Sequence, residues 1–251
     1  MRVSLCLLAA LVLSSAAALA DDTEVTRRVC TGADGRKLWE ASVAIRPAGT
    51  GAGHYLMTEE IDGNYSAFKV RTVSKSELEY INDNKTLSPL YMKRHVVSED
   101  GKALLEETQR YDPEKRTVDC VLKNSSRKAE TKKTLRYKGE MINSMLMGAY
   151  IKRFLTEGAK EKTVSLVSDG PSVYKITLKV EDKEEITVNG RKYSAYRILI
   201  DPEIGLFSPV KGFIPKNYVW YSTEPPYDWL MFRGLESSFG SPKVEMTSLD
   251  N

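Results

Sequence analysis

Apolar and polar residues alternate along most of the chain. From Lys37 to Ile45, Trp39, Ala41, Val43 and Ile45 fall on one side and Leu38, Glu40, Ser42 and Ala44 on the other, the period-two pattern of a half-buried strand. Pro47 and the glycine-rich run 49–53 break it. Comparable segments recur at His54–Glu60, Tyr65–Val73, Leu78–Asn82, Leu90–Ser98, Ala103–Tyr111 and Arg116–Leu122. The last two are separated by Asp112-Pro113-Glu114, a turn in which proline presets φ. Strands at this spacing predict an antiparallel meander.

The rhythm changes at Glu140–Leu155, which predicts a helix. Ile142, Met145, Leu146 and Ala149 recur at three- and four-residue intervals, while Met141, Met147, Tyr150, Ile151, Phe154 and Leu155 widen the apolar face. Gly158 is a suitable stop. A helix apolar on most sides must be covered, so it either completes the core or lines an apolar cleft. Before it, residues 124–133 and Lys123 form a polar, basic stretch with Arg127, Lys128, Lys132 and Lys133, read as a solvated charge run with an anion site as the alternative. After it, strands are predicted at Val164–Val167, Val173–Val180, Glu185–Val188 and Tyr193–Ile200, the last pair turning at Asn189-Gly190. A loop, Asp201–Lys216, carries Ile204, Phe207, Phe213 and Ile214 among glycines and prolines. Tyr218–Ser222, Trp229–Arg233 and Val244–Leu249 complete the pattern.

Met1-Arg2, the apolar run Val3–Leu13 and Ala18-Leu19-Ala20 before Asp21-Asp22 read as a cleavable secretory signal over residues 1–20. The remainder, 21–251, is expected to form a single β-rich domain working in the periplasm or outside the cell. Neither Cys6 nor Cys30 has the setting of a lipid-anchor site. Without the leader's Arg2 the chain holds 36 Lys+Arg against 34 Asp+Glu, a balance that argues against a nucleic-acid partner. No later stretch reaches the ~18 consecutive apolar residues of a membrane span. An oxidising compartment would let Cys30 and Cys120 pair, closing a loop of roughly ninety residues for ~4 kcal/mol on the chain-entropy model; two separate buried thiols is the other reading.

Signatures of catalysis are scarce. His54 and His95 lie in strand patterns and have no zinc-ligand spacing, no Gly-x-Ser-x-Gly elbow is present, and Gly32-Ala33-Asp34-Gly35 reads as a turn. Glu59-Glu60 and Glu184-Glu185 are neighbours in strands and so point to opposite faces. The chain is read as non-enzymatic and without a cofactor. The three Asn-x-Ser/Thr sites at Asn64, Asn84 and Asn124 are read as chance in a bacterial protein.

From Tyr137 to Leu249 the order of elements resembles a known family. An apolar helix (Met141–Phe154) is followed by the strand Val173–Val180, the hairpin about Asn189-Gly190, Val219-Trp220-Tyr221-Ser222, Trp229–Arg233 and Val244–Leu249. This is similar to the secreted bacterial DUF3108-type family of unknown function, whose fold is similar to that of the LolA and LolB lipoprotein carriers. Pro225-Pro226 comes early for that family and Trp229-Leu230-Met231-Phe232 is more apolar. The resemblance implies a mainly β fold, a strongly curved antiparallel sheet forming an open LolA/LolB-like half-barrel over one apolar helix. It also implies a periplasmic carrier or binding module for a lipid or acyl chain. The expected lining is Met141, Ile142, Met145, Leu146, Met147, Phe207, Phe213, Trp220 and Trp229. The alternative is a cell-envelope structural or assembly protein, its hollow filled by its own side chains and its surface meeting another protein.

Overall fold

The computed structural model of the chain describes residues 23–49, 51–83, 85–125, 128–167, 170–203, 215–237 and 240–250. The expected leader, Asn84, Phe207 and Phe213 lie outside the described residues. Eight strands come first: β1 (Glu24–Gly32), β2 (Lys37–Pro47), β3 (His54–Gly63), β4 (Thr72–Asn82), β5 (Leu87–Ser98), β6 (Ala103–Asp112), β7 (Thr117–Asn124) and β8 (Ala129–Arg136). A short strand, β9 (Met141–Asn143), leads through a 3₁₀ turn (Ser144–Leu146) into the helix α1 (Met147–Thr156). Then follow β10 (Glu161–Val167), β11 (Val173–Val188), β12 (Arg191–Pro202), β13 (Asn217–Ser222), β14 (Trp229–Leu235) and β15 (Lys243–Ser248).

These fifteen strands form one sheet in the order β8-β7-β6-β5-β4-β3-β2-β1-β15-β14-β13-β12-β11-β10-β9. Two meanders are joined where β1 pairs with β15, with Cys30 opposite Met246. The pairings are antiparallel except that of β9 with β10. Alternation divides the residues between two faces: Trp39, Ala41 and Val43 of β2 are buried while Glu40 and Ser42 are exposed. Register then lines the inward residues up in rows, one of which runs Val219, Phe232, Met246, Cys30, Trp39, Gly63. Gly63 is required at the end of that row, because a Cβ there would stand 2.5 Å from Trp39 Cα, and its φ of 146° disfavours other residues.

The sheet rolls into an open scroll. Asn143 of β9 bonds Gln109 and Tyr111 of β6, and the Lys133 ammonium of β8 donates to the Pro171 carbonyl beyond β10 at 3.4 Å. The β9–β10 end is thereby turned in against the concave side of β5–β8. Leu146, Tyr150, Ile151, Phe154 and Leu155 fill the hollow against Leu78, Val118, Leu178, Ile198 and Tyr221.

Several local expectations change. The segment expected as one helix begins instead as β9, because Met141-Ile142-Asn143 pairs with Ser165-Leu166-Val167. The Asn143 side chain then accepts from Met145 N at 2.8 Å and caps the 3₁₀ turn. The basic run contains a strand, β8, and Tyr65–Val73 is a turn segment up to Thr72, where β4 starts. The strands predicted at Val173–Val180 and Glu185–Val188 are one strand with a bulge between Val180 and Asp182. Asn189 and Gly190 turn it with φ of 49° and 78°, both positive as a type I′ hairpin demands.

The expected disulfide is absent: Cys30 and Cys120 are both free and buried. Five strands separate β1 from β7 in the sheet, and neighbouring strands lie ~4.8 Å apart. Cys30 packs with Trp39, Ala41 and Val244, whereas Cys120 belongs to the core around α1. Burial, aided by Glu236, pushes the Cys30 thiol up to about 12. Burial, with Glu107 and Asp119, pushes Cys120 up to about 11. The unfolded chain therefore releases these protons first, so their contribution to stability is intact below the ordinary thiol value of 9.0 and is lost as pH rises through the folded values. Iodoacetamide is expected to spare both thiols in the folded protein and to label both after unfolding. Urea melts should weaken as the solution is taken above the ordinary thiol value, and less so when both cysteines are replaced by alanine. A cross-linked Cys30–Cys120 peptide would overturn this.

Candidate functional site

The concave hollow is where the expected ligand-binding residues can be placed. Met141, Ile142 and Leu146 are buried there, Leu146 fully, and Met145, Met147 and Trp229 are half-buried against the same core. Trp220 is not with them. On β13, Val219 and Tyr221 point into the hollow, so Trp220 between them points outward. It packs with Val188, Ala195, Leu230 and Met231 under the far end of the β11–β12 hairpin. Its indole donates to Glu184 Oε1 at 2.7 Å, and the hairpin tip is held where Asn189 Nδ2 donates to the Ser248 carbonyl at 2.7 Å.

A buried polar network, unread in the sequence, crosses the hollow. Glu107 is 1% exposed and accepts from Arg94 Nη2 at 2.6 Å, Gln109 Nε2 at 2.8 Å and Gly170 N at 3.0 Å. Gln109 Oε1 accepts in turn from the Tyr111 hydroxyl and from Asn143 Nδ2, the latter at 2.9 Å. One network thus fastens the 3₁₀ turn and the segment after β10 to β6. Burial raises the Tyr111 phenol far above its usual value, so it stays a proton donor. The sequence held a signal for this: Glu107, Gln109 and Tyr111 occupy alternate positions of one strand, the side its apolar neighbours would predict to be inward.

A second polar group lies on the concave face, near the helix start. Arg28 Nη2 meets Glu59 Oε1 at 2.8 Å, and its guanidinium lies 6.0 Å from the Trp229 ring centroid. Tyr221 is buried, and its hydroxyl lies beside Gly148 at the start of the helix, 3.5 Å from where a Cβ would stand. Burial raises the Tyr221 phenol, with Arg28 opposing. Farther along, the Tyr150 hydroxyl donates to Glu140 Oε2 at 2.8 Å, and Lys162 bridges Glu140 and Glu157 at 3.2 and 3.1 Å. Of these contacts, those of Tyr150 with Glu140 and of Lys162 with Glu157 hold the helix, and Arg28–Glu59 ties β1 to β3.

Concavities among the described residues include two on the sheet. The larger, about 470 Å³, is a trough over β2–β4 with Ser42, Ala44 and Thr58 as its floor and acidic walls. Its carboxylates are matched in ion pairs: Glu40 with Lys37, Glu60 with Lys75, Asp62 with Arg71 and Glu77 with Lys93. The smaller, about 150 Å³, lies by Arg46, His54, Tyr55 and Tyr80. Among the described residues no three His, Cys, Asp or Glu side chains are grouped to hold a metal ion, and no helix is long and apolar enough to cross a membrane.

The fold and its interior define a mainly β protein, one large curved sheet not closed into a barrel and wrapped over a single helix. The chain belongs to the DUF3108 family of proteins of unknown function, whose model matches residues 37–247. The match reaches well into the first meander, beyond the part in which the sequence showed the resemblance. No curated protein matches the chain. Among solved structures it is similar to the crystal structure of a beta-barrel-like protein of domain of unknown function DUF1849 from Brucella abortus, with 12% identity and a TM-score of 0.48 over 90% of this chain and 99% of that one.

If the buried network fastens the helix, cutting it should cost far more than cutting a surface pair. Removing one partner of a buried ion pair costs ~3–5 kcal/mol, and the Arg94–Glu107 side chains are 14% and 1% exposed. The Lys123–Glu106 pair is 55% and 53% exposed, and surface changes of that kind stay within ~0.5 kcal/mol. Urea denaturation of Glu107→Ala and Lys123→Ala is expected to separate the two variants accordingly. Equal stabilities would show that the network carries no load.

Proposed function

We propose that this protein is a non-catalytic interaction module of the bacterial cell envelope, whose partner is another protein and whose outer surface makes the contact. The observation that carries this reading is the filling of the hollow. Leu146 is 0% exposed, Ile151 and Phe154 are 1% exposed, and the turn before the helix is bonded to β6 through Asn143. An acyl chain would have to displace this plug, losing its buried area and cutting the bonds of Asn143 to Gln109 and Tyr111 and of Gly170 to Glu107, at ~1–3 kcal/mol for each polar group left stranded. The outward face, by contrast, is a broad field of paired charges and cross-strand side chains. The secretory leader expected over residues 1–20 supports the envelope location.

The second reading, a carrier for a lipid or acyl chain, is favoured by the half-buried Met145, Met147 and Trp229 on the same core. Adaptable thioethers suit a site that opens for an apolar guest. The two readings part on simple measurements. For the interaction module, protein purified from its own host should yield no lipid on extraction, and an apolar fluorescent probe should not bind the folded form. Leu146→Ala should then cost ~2–5 kcal/mol as an ordinary core truncation. Stoichiometric co-purifying lipid, or probe uptake that Leu146→Ala increases, would replace the interaction module by the carrier.

A further inference from the structure

β8 is the outer edge of the sheet: it pairs with β7, and no other strand lies beside it among the described residues. Tyr137 N donates to the Arg116 carbonyl, in line with the β7–β8 register of Leu135 opposite Val118 and Lys133 opposite Cys120. Antiparallel pairs alternate between bonded and non-bonded positions. Odd-numbered residues of β8 therefore spend their backbone groups on β7, and Glu130, Lys132, Thr134 and Arg136 turn their N–H and C=O groups to the free edge.

Most of the strand also stands clear of the core. Residues 129–134 and Arg136 are exposed and only Leu135 is buried, so β8 gains little from packing. From Lys128 to Lys138 there are five cations and one carboxylate, Glu130, which meets Lys132 at 3.3 Å. Lys132 nevertheless remains 71% exposed. On the outward face, one rung across the sheet sets carboxylates beside lysines. It passes from Glu130 to Lys123, Glu106, His95, Lys75 and Glu60, with Lys123–Glu106 at 3.5 Å and Lys75–Glu60 at 3.1 Å. Lys132 and Arg136 end their rungs opposite Val121 and Thr117, with no carboxylate facing them on β7, so an added strand could set a carboxylate opposite each.

We propose that the free edge of β8 is a docking site for an extended acidic segment of a partner protein, which adds to the sheet as a further strand with carboxylates at alternate positions. The proposal rests on the reading that the partner is a protein. Backbone pairing would supply the affinity and the cations the choice of sequence, as in other strand additions. The same lysines disfavour a second copy of this chain, since like charges brought opposite each other repel.

The edge can be tested with the full mature chain and a fluorescent peptide alternating threonine and glutamate, followed by anisotropy, with amide exchange read over residues 129–136. Wild type should bind it and protect the amides of Lys132, Thr134 and Arg136, and a peptide with lysine in place of glutamate should not bind. Thr134→Pro removes an outward N–H, keeps the charge and leaves the backbone bonds to β7 in place, losing besides only the Thr134 hydroxyl's bond to Asp119; it should abolish binding, whereas Thr134→Val, which loses that hydroxyl bond alone, should keep it. Lys132→Glu/Arg136→Glu, an exposed pair of changes that leaves the backbone untouched, should weaken binding about tenfold or more. Lys192→Glu on the β11–β12 hairpin should leave it unchanged. Binding that survives Thr134→Pro in a folded variant, or protection that appears away from β8, would overturn strand addition. Binding of anionic lipid vesicles in preference to the peptide would overturn the protein partner at this edge. Lipid found in the hollow, with the peptide still on β8, would sink the reading of a filled hollow and leave the edge standing.

Discussion

Everything in this structure depends on covering the apolar face of one continuous sheet. A sheet with one apolar side must bury that side against another layer, and the described residues contain only one α-helix, Met147–Thr156. Ten residues of helix span ~15 Å, too little to roof a flat sheet of this width. The sheet therefore covers itself. It rolls up until inward residues of distant strands meet around the helix, as Val118 of β7 and Leu178 of β11 do.

Rolling brings polar residues into the interior as well, and their arrangement decides how firmly the roll is held. Glu107, Gln109, Tyr111 and Asn143 come from β6 and β9, third from one end of the strand order and last at the other. Their bonds fix where the inner end of the scroll sits, a directional constraint that apolar packing cannot impose. The second layer outside, where Trp220 lies under the β11–β12 hairpin, uses the same device, with the indole bonded to Glu184 and the hairpin tip bonded to β15. A filled interior and an outward face of paired charges direct attention to the surface, and to β8, the strand least committed to the core.

The strands were legible because period-two alternation is written into any strand with one buried face. Lys37–Ile45 and Ala103–Tyr111 appear nearly as read, and Asn189-Gly190 turns where its residue types require. Less could be read where the physical cause was not local. Met141-Ile142-Asn143 is as apolar as the helix that follows it, and only β10 alongside makes it a strand. β8 lacks a buried face and so lacks the alternation that would reveal it. β1, whose first four residues through Arg27 are exposed, was hidden for the same reason although it joins the two halves.

What the sequence determined by itself is thus the class of fold, the strand-rich pattern around one apolar helix, and the membership in DUF3108 that its element order already suggested. Tertiary structure alone decided which cysteines could meet, which face Trp220 took and which polar groups became buried partners. The physical reason is range. Alternation, turn chemistry and helix periodicity act between residues a few positions apart and leave their trace in the local pattern. The distance from Cys30 to Cys120, the meeting of Asn143 with Gln109, and the side of the sheet a hairpin folds across depend on how far fifteen strands roll, and that is settled only when the whole apolar face is covered.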